Sequence, residues 1–257
     1  MTTTVICAYH DGAKPEFNQF ILDHPGVFLP VLGGSCYYKQ GTNEFYDKLT
    51  RDDTGENISN LVTYVNEHTP LYWAYKHYRE IGNPDMIGLC HYRRFMDVDY
   101  EHLDSTKIYA NRVHARHAAG ICGLIADSVR GTYSNFCSEE LVDLYLDAYR
   151  NALPEYNQYL DIVLEDSLYY AKNMFIMSRA DFMDFMAYVC RVMRVLFDDT
   201  NYDEASSIFY PKLHVRRLML IYSRCRGFLM EMFVSVWLER QYQLRRNVVP
   251  AKVLEFV

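Results

Sequence analysis

Short apolar runs alternate with longer stretches of helical spacing along this chain of 257 residues. Such runs, a few residues long and without polar alternation, are typical of strands buried on both faces of a parallel sheet. Between them, apolar residues recur at three- and four-residue intervals, as from Leu61 to Val65. The alternation predicts an α/β fold with a central, mostly parallel sheet flanked by helices. The predicted strands are Thr4–Ala8, Met86–Cys90, Ala118–Ala126 and Asn173–Met177.

Residues typical of helix N-termini predict where helices begin between the strands. Thr69 and Pro70 resemble an N-cap followed by proline at the first helical position, which predicts a helix through Tyr78. The polar stretch Gly33–Asn57 is predicted to be a surface loop. We expect one domain over residues 1–257, with a helix and tail at 215–257 packing on it. Further helices are predicted at Ser138–Tyr149, Glu155–Leu164, Asp181–Phe197 and Val215–Arg240.

Charge and cysteine content exclude several classes of protein. The formal net charge of -7 argues against nucleic-acid binding, which needs a surplus of Lys and Arg to neutralise phosphates. Seven scattered cysteines favour reduced thiols in a cytoplasmic protein. The N-terminus lacks the features of a secretory signal, and no apolar run is long enough to span a bilayer. We expect at most a peripheral contact with the inner face of the cell membrane, through Arg240, Arg245 and Arg246.

The segment Ile87–Phe95 carries two adjacent arginines directly after a predicted buried strand. Ligands of open α/β sheets bind outside the carboxyl ends of the strands, where Arg93 and Arg94 would emerge. The planar guanidinium group suits the oxygens of a diphosphate. The alternative is that one arginine pairs with a structural carboxylate while the other is solvated.

Five segments stand in a characteristic order along the chain: DDTGENIS (Asp52–Ser59), LYWAYKH (Leu71–His77), IGLCHYRRF (Ile87–Phe95), NMFIMSR (Asn173–Arg179) and RGFLMEMFVSVWL (Arg226–Leu238). Together they resemble a bacterial family of capsular polysaccharide synthesis proteins, formerly of unknown function, whose members resemble glycosyltransferases of the GT-A fold. The resemblance extends from about Thr4 to Leu238. The chain departs from it at Pro70, where relatives more often continue the helix.

This resemblance implies a cytoplasmic bacterial hexosyltransferase that moves a sugar from a nucleotide diphosphate donor to a growing surface polysaccharide or glycolipid. The donor would be a UDP-sugar such as UDP-galactofuranose or UDP-galactose, and the acceptor an oligosaccharide or lipid-linked saccharide. The donor-binding positions that the resemblance implies are Asp53, Asn57, Trp73, Lys76, His91, Tyr92, Arg93, Arg94, Asn173 and Arg226.

Two interpretations of the charge at the leaving group stay open. Enzymes of the GT-A fold usually present an Asp-x-Asp pair that holds a divalent metal, whereas this chain has His91–Arg94 at that place. The arginines would replace the metal, because a departing diphosphate needs positive charge from some source. Alternatively, Asp97 and Asp99 form a displaced pair that binds Mn²⁺ or Mg²⁺ through hard oxygen ligands.

The catalytic base of an inverting transfer must be a carboxylate within reach of the acceptor hydroxyl. Glu231 lies in an apolar helical stretch, where burial would make it a stronger base, and Asp166 is a second candidate beside Glu165. The alternatives are a structural Glu231 paired with Arg226 or Arg224, and a solvated helix end for Glu165 and Asp166. A second class of function also stays open, a non-catalytic nucleotide- or carbohydrate-binding subunit of a polysaccharide assembly system.

Overall fold

The computed structural model describes residues 1–10, 15–41, 44–114, 128–198, 216–244 and 247–255. Its strands are β1 (Thr3–Tyr9), β2 (Phe28–Leu32), β3 (Thr50–Arg51), β4 (Met86–His91), β5 (Arg94–Asp97), β6 (Lys107–His114), β7 (Leu168–Ser178), β8 (Asn247–Pro250) and β9 (Lys252–Glu255). Its helices are α1 (Pro15–Leu22), α2 (Val62–Val65), α3 (His68–Lys76), α4 (Val129–Phe136), α5 (Glu139–Ala152), α6 (Asn157–Glu165), α7 (Arg179–Leu196) and α8 (Arg216–Gln243).

These strands form one mixed sheet with the order β3-β2-β1-β4-β7-β6-β8. Strands β1, β2, β3 and β4 run parallel to their neighbours, and β6 runs parallel to β8. Strand β7 is antiparallel to β4, while β5 pairs antiparallel with both β4 and β9. The predicted fold class, an α/β protein whose mostly parallel sheet is flanked by helices, is therefore confirmed.

Residue contacts divide the chain into two compact units. The first contains Met1–Asn111, Asn173–Met186 and Arg246–Val257, and the second contains Arg112–Lys172 and Ala187–Arg245. The boundaries between the units fall within β6, β7 and α7 and between residues 245 and 246. The single domain over residues 1–257 stays a prediction.

In the first unit, both faces of the sheet are covered by helices. One face carries Val5, Cys7 and Tyr9 of β1, against which Phe20 of α1 packs. The opposite face carries Phe175, whose ring lies 4.9 Å from that of Phe185 in α7. Alternate residues of a strand point to opposite faces, so this double burial explains why β1 and β4 are almost uninterrupted apolar runs.

Aromatic side chains form the core of the mainly helical second unit. The rings of Tyr149 and Phe233 stack with centroids 4.3 Å apart. The hydroxyl of Tyr188 lies 2.9 Å from that of Tyr149 and donates to the carbonyl oxygen of Phe233 at 2.7 Å. Tyr169 and Tyr170 are also buried. The abundance of tyrosine in this part of the chain thus reflects packing of aromatic rings, with the hydroxyl groups of Tyr149 and Tyr188 paired inside the core.

Most predicted elements are confirmed. Strands β1, β4 and β7 cover three of the predicted runs, and α5, α6, α7 and α8 cover four of the predicted helices, with α8 continuing through Gly227. No helix in the described ranges is both long enough and apolar enough to cross a membrane. The predicted strand Ala118–Ala126, like Arg245 and Arg246, lies outside the described residues.

Three details of the secondary-structure prediction are wrong. Helix α3 begins at His68, with Glu67 at its N-cap, so Thr69 and Pro70 lie inside its first turn. Strand β6, Lys107–His114, lies where the sequence predicted no strand. The predicted surface loop Gly33–Asn57 contains strand β3 and the buried side chains of Tyr46 and Asp52.

Gly88 provides a test of how closely β4 and β7 pack. A methyl group on its Cα would lie 2.7 Å from the carbonyl oxygen of Phe175 and 2.7 Å from Cγ1 of Ile176. Because the strand backbone must shift to admit it, we expect Gly88→Ala to lower the free energy of unfolding by about 3 kcal/mol in urea denaturation.

Gly82→Ala is the control, because Gly82 has a φ of 93° and no atom within 4 Å of the added methyl group. This change introduces backbone strain alone and should cost about 1 kcal/mol. Equal losses for the two variants would contradict the close packing at Gly88.

Candidate functional site

The carboxyl ends of the four parallel strands β1–β4 lie at one edge of the sheet, within the first unit. We call this the carboxyl edge. The residues that follow the strands there are His10 after β1, Gly33–Ser35 after β2, Asp52–Asn57 after β3 and Tyr92 with Arg93 after β4. Sites of α/β proteins form at such an edge, because loops there converge from several strands.

Asp52 is a buried carboxylate that fixes the turn after β2. It accepts hydrogen bonds from the backbone N–H groups of Gly34 and Ser35, both at 2.9 Å, and from the hydroxyl of Ser59 at 2.5 Å. Gly34 has a φ of 69°, and a side chain on it would strike Val62. Asp52 thus ties the loop after β3 to the turn after β2, and its role is structural.

The loop Asp52–Asn57 is held against helix α3. The indole N–H of Trp73 donates to the hydroxyl of Thr54 at 2.8 Å. Nζ of Lys76 lies 2.6 Å from the carboxylate of Glu56. Gly55 packs on the ring of His77 so closely that a methyl group on Gly55 would lie 2.3 Å from it. The first two family segments therefore meet in space.

Two further predicted donor-binding residues, Asp53 and Asn57, belong to the same loop. Asp53 pairs with the guanidinium of Arg51 at 2.7 Å, and Arg51 also donates to the carbonyl oxygen of Ser35. The amide of Asn57 donates to the carbonyl oxygen of Gly55, while its oxygen accepts from the N–H of Ser59. Both side chains thus stabilise the conformation of the loop Asp52–Asn57, the loop that Trp73 and Lys76 of α3 also contact.

The segment after β4 is a tight turn, because His91 of β4 pairs with Arg94 of β5. The backbone N–H of Tyr92 donates to the carbonyl oxygen of Ala8 at 3.0 Å, which joins this turn to β1. The ring of Tyr92 meets that of His10 edge-on at 4.1 Å. The site after β4 is therefore continuous with the end of β1.

The structure separates the two adjacent arginines. Arg94 lies in β5, where its Nε donates to the carboxylate of Glu255 at 2.9 Å. Arg93 is exposed, and its guanidinium lies 5.5 Å from the centroid of the Tyr92 ring. No carboxylate of the described residues lies within ion-pair distance of Arg93. Arg93 is thus a cation at the carboxyl edge without a counter-charge in the described chain.

Glu67 stands at the N-cap of α3 and faces the end of β4. Its Oε1 accepts a hydrogen bond from the amide of Asn173 at 2.5 Å and lies 3.8 Å from Nε2 of His91. Only 11% of its side chain is exposed. Burial raises the pKa of Glu67, but His91, His68 and the Asn173 hydrogen bond outweigh it, and the net shift is downward. The carboxylate is therefore ionised at neutral pH.

Unusual backbone geometry surrounds this carboxylate. Asn66 has φ 49° and ψ -121°, a combination that residues with a side chain rarely adopt. Asn173 has a φ of 50° within β7, just beyond the last paired residues Leu89 and Phe175. Asparagine tolerates a positive φ better than other residues with a side chain, so the strain is greatest at Asn66, where such a conformation costs about 1–3 kcal/mol. Strained backbone of this kind concentrates at functional sites.

The amino-acid sequence matches the family described as "Domain of unknown function (DUF4422)" over residues 19–242. This chain belongs to the DUF4422 family. Its fold is similar to the apo structure of the bifunctional glycosyltransferase WbbM, with a TM-score of 0.73 and 16% sequence identity. The similarity covers 99% of this chain and 45% of that one, so the DUF4422 chain spans less than half the length of its structural relative. No curated protein matches it.

The predicted metal ligands of this DUF4422 chain lie on the surface. Asp97 ends β5 opposite Lys252, and the carboxylate of Asp99 contacts the ring of His102 at 2.9 Å and caps the turn that follows. In the described ranges, no group of three or more His, Cys, Asp or Glu side chains is placed to hold a metal ion.

The other predicted site residues lie in the second unit. Asp166 ends helix α6, where its carboxylate accepts from the N–H of Leu168 and lies 3.6 Å from Arg112. Glu231 lies in α8 and is partly buried. The pKa values of Tyr133 and Tyr169 are raised mainly by the burial of these tyrosines, and the nearby charge of Glu231 raises them further. Arg226 is buried, donates to the hydroxyl of Tyr145 and lies over the ring of Phe197. These surroundings give Arg226 a packing role.

Sequence reasoning missed Glu67 and His10 as members of the carboxyl edge. The sequence does contain one signal for Glu67, an acidic residue just before a helix start. That signal is weak, because acidic residues are common at helix N-termini without any function.

The three hydrogen bonds to Asp52 provide a second stability test. Asp52→Ala leaves three donors without a partner in a buried place, and we expect it to lower the free energy of unfolding by at least about 3 kcal/mol. Asp53→Ala removes a partly exposed ion pair at the neighbouring position and should cost less than about 1 kcal/mol. Urea denaturation of both variants measures the difference, and similar losses would contradict the structural role of Asp52.

Proposed function

We propose that this chain is a glycosyltransferase that moves a sugar from a nucleoside diphosphate sugar to a hydroxyl group of a growing surface polysaccharide or glycolipid. The observation that carries the proposal is Arg93, an exposed cation without a carboxylate partner in the described chain, at the end of β4. A departing nucleoside diphosphate needs positive charge at such a place.

The surroundings of Arg93 suit a nucleotide sugar. The rings of His10 and Tyr92 form an aromatic surface where β1 and β4 end. Aromatic faces of this kind bind the apolar side of a sugar or a nucleobase, and Arg93 lies next to them. The charge and the stacking surface that the donor requires are thus adjacent.

The proposed donor site consists of Arg93, Tyr92 and His91, with the loop Asp52–Asn57 and helix α3 as the scaffold of the same edge. Arg94 is left out, because Glu255 already pairs with it. Arg226 is also left out, because it is enclosed by the aromatic core of the second unit.

Family and fold support the coarse form of this proposal. The fold is similar to that of a glycosyltransferase, and the family resemblance in the sequence indicates the same class of enzyme. A UDP-sugar donor, a bacterial surface saccharide as acceptor and a cytoplasmic location at the inner face of the membrane are further parts of the proposal.

The proposed transfer does not depend on a divalent cation. Arg93 supplies the positive charge, while the carboxylate of Asp99 is engaged with His102 and the adjoining turn. In this proposal Asp97 and Asp99 are therefore surface residues of β5 and of the loop after it, and they bind no metal.

Binding of UDP tests the donor site. A ligand that binds only the native state raises the melting temperature, so we expect UDP at saturating concentration to stabilise the protein in a thermal shift assay. Arg93→Ala should weaken UDP binding about tenfold or more in calorimetry, since a hydrogen bond to a charged group contributes about 1.5–3 kcal/mol.

Arg94→Ala is the matched control and should leave UDP affinity unchanged, because Arg94 is turned to Glu255. Loss of affinity in Arg94→Ala with a normal Arg93→Ala would contradict the assignment. A wild-type protein that binds neither UDP nor any other nucleotide would exclude a nucleotide-sugar site. Binding without release of UDP from any of a panel of UDP-sugars would favour a non-catalytic binding subunit.

Chelation tests the independence from metal. We expect UDP release in the presence of acceptor to continue in EDTA, while Arg93→Ala lowers it about 10²-fold, as removal of a preorganised electrostatic partner does. Arg93→Lys keeps the charge but loses the bidentate fork, so its rate should lie between those of the wild type and Arg93→Ala. Complete loss of activity in EDTA that Mn²⁺ restores, together with loss in Asp99→Ala, would contradict this expectation.

A further inference from the structure

We infer that Glu67 is the catalytic base of the proposed transfer and takes the proton from the acceptor hydroxyl. This inference rests on the proposed function, and it assigns the base to a residue outside the five segments that carry the family resemblance. Glu67 belongs to the first unit and meets the end of β4 through His91, two positions before Arg93.

The two oxygens of the Glu67 carboxylate differ in their surroundings. Oε1 is engaged by the amide of Asn173 and lies near His91. Oε2 accepts no hydrogen bond from another residue in the described parts of the chain. Because the side chain keeps part of its surface exposed, Oε2 is the atom left to contact a ligand hydroxyl.

Other carboxylates that follow the strands at the carboxyl edge are already engaged. Asp52 is buried under three hydrogen bonds, Asp53 pairs with Arg51, and Glu56 pairs with Lys76. Asp52 and Asp53 would have to give up these bonds before either could accept a proton, since Arg51 engages both oxygens of Asp53. Glu56 is bound through Oε1 alone, but its side chain is 64% exposed, so it lacks the enclosed position of Glu67. Glu67 keeps its position while one oxygen stays available.

The groups around Glu67 hold it in place at a cost to the fold. The oxygen Oδ1 of Asn173 is buried and has no hydrogen-bond partner among the described residues, and neither has Nε2 of His68. A buried polar atom left unpaired costs about 1–3 kcal/mol. Together with the strained backbone at Asn66, this cost indicates a cluster that is maintained for a ligand rather than for stability.

The proton transfer follows from this placement. The acceptor oxygen attacks the anomeric carbon of the donor as its proton passes to Oε2 of Glu67. The bond from the anomeric carbon to the phosphate oxygen breaks, and its electron pair leaves with the nucleoside diphosphate, whose charge Arg93 compensates. Since the acceptor attacks opposite the leaving group, the anomeric configuration of the product is inverted. His91 and Asn173 are positioning residues that orient the carboxylate.

The experiment compares Glu67→Gln with the wild type for binding and for transfer. Glutamine keeps the shape and the acceptor oxygen for Asn173 but is not basic. We expect UDP affinity in calorimetry to be unchanged, while UDP release with acceptor falls by about 10²-fold or more, as for loss of a general base. Glu80→Gln, in an exposed glutamate whose carboxylate pairs with the ring of His77, is the matched control and should transfer normally.

Formate rescue separates a base from a structural residue. In Glu67→Ala, added formate should restore part of the rate, because a small carboxylate can occupy the space left by the side chain. The variant Glu67→Asp covers the case in which Glu67→Gln does not fold, and it should retain more activity than Glu67→Ala. Nuclear magnetic resonance of the product should show an inverted anomeric carbon.

Two outcomes would overturn the inference while leaving the proposed function intact. These are normal transfer by Glu67→Gln, and retention of the anomeric configuration in the product. Absence of formate rescue in a folded, UDP-binding Glu67→Ala would also count against a catalytic role. A wild-type protein that neither binds UDP nor releases it from UDP-sugars would instead overturn the proposed function itself, and the inference with it.

Discussion

Strand β4 is the constraint on which the candidate site depends, because it is hydrogen-bonded on both sides. Its register with β1 pairs Cys7 with Cys90 and Ala8 with His91, and its register with β7 ends at Leu89 and Phe175. Gly88 admits the close approach of β7. A strand fixed in this way ends at a defined place, so the positions of His91, Tyr92 and Arg93 follow from the sheet rather than from a loop.

Two carboxylates at the carboxyl edge, Asp52 and Glu67, differ in how many hydrogen bonds enclose them, and this difference distinguishes a structural residue from a proposed catalytic one. Asp52 is enclosed by three donors, which makes it a fixed part of the loop scaffold. Glu67 is bound to Asn173 through one oxygen, and the strained backbone and unpaired buried polar atoms around it lower the stability of the fold. A protein selected for stability alone would replace such a cluster with apolar groups, since unsatisfied polar networks destabilise the fold.

The elements that the sequence predicted are those in which local pattern and burial agree. Strands β1 and β4 are apolar because both of their faces are covered, and α5 begins directly after its N-cap Ser138, whose hydroxyl accepts from the N–H of Leu141. The site was harder to predict, because its contacts are distant in sequence. Glu67 meets Asn173 106 positions later, and Arg94 meets Glu255 161 positions later. Adjacent arginines appear equivalent until these partners are known.

A structure of the protein with bound UDP tests the central claim, that the donor diphosphate binds at the end of β4. We predict that its phosphate oxygens lie within hydrogen-bond distance of the Arg93 guanidinium, with Tyr92 beside the nucleotide and Arg94 still paired with Glu255. A diphosphate bound through Asp97, Asp99 and a metal ion, or one held without contact to Arg93, would contradict the account.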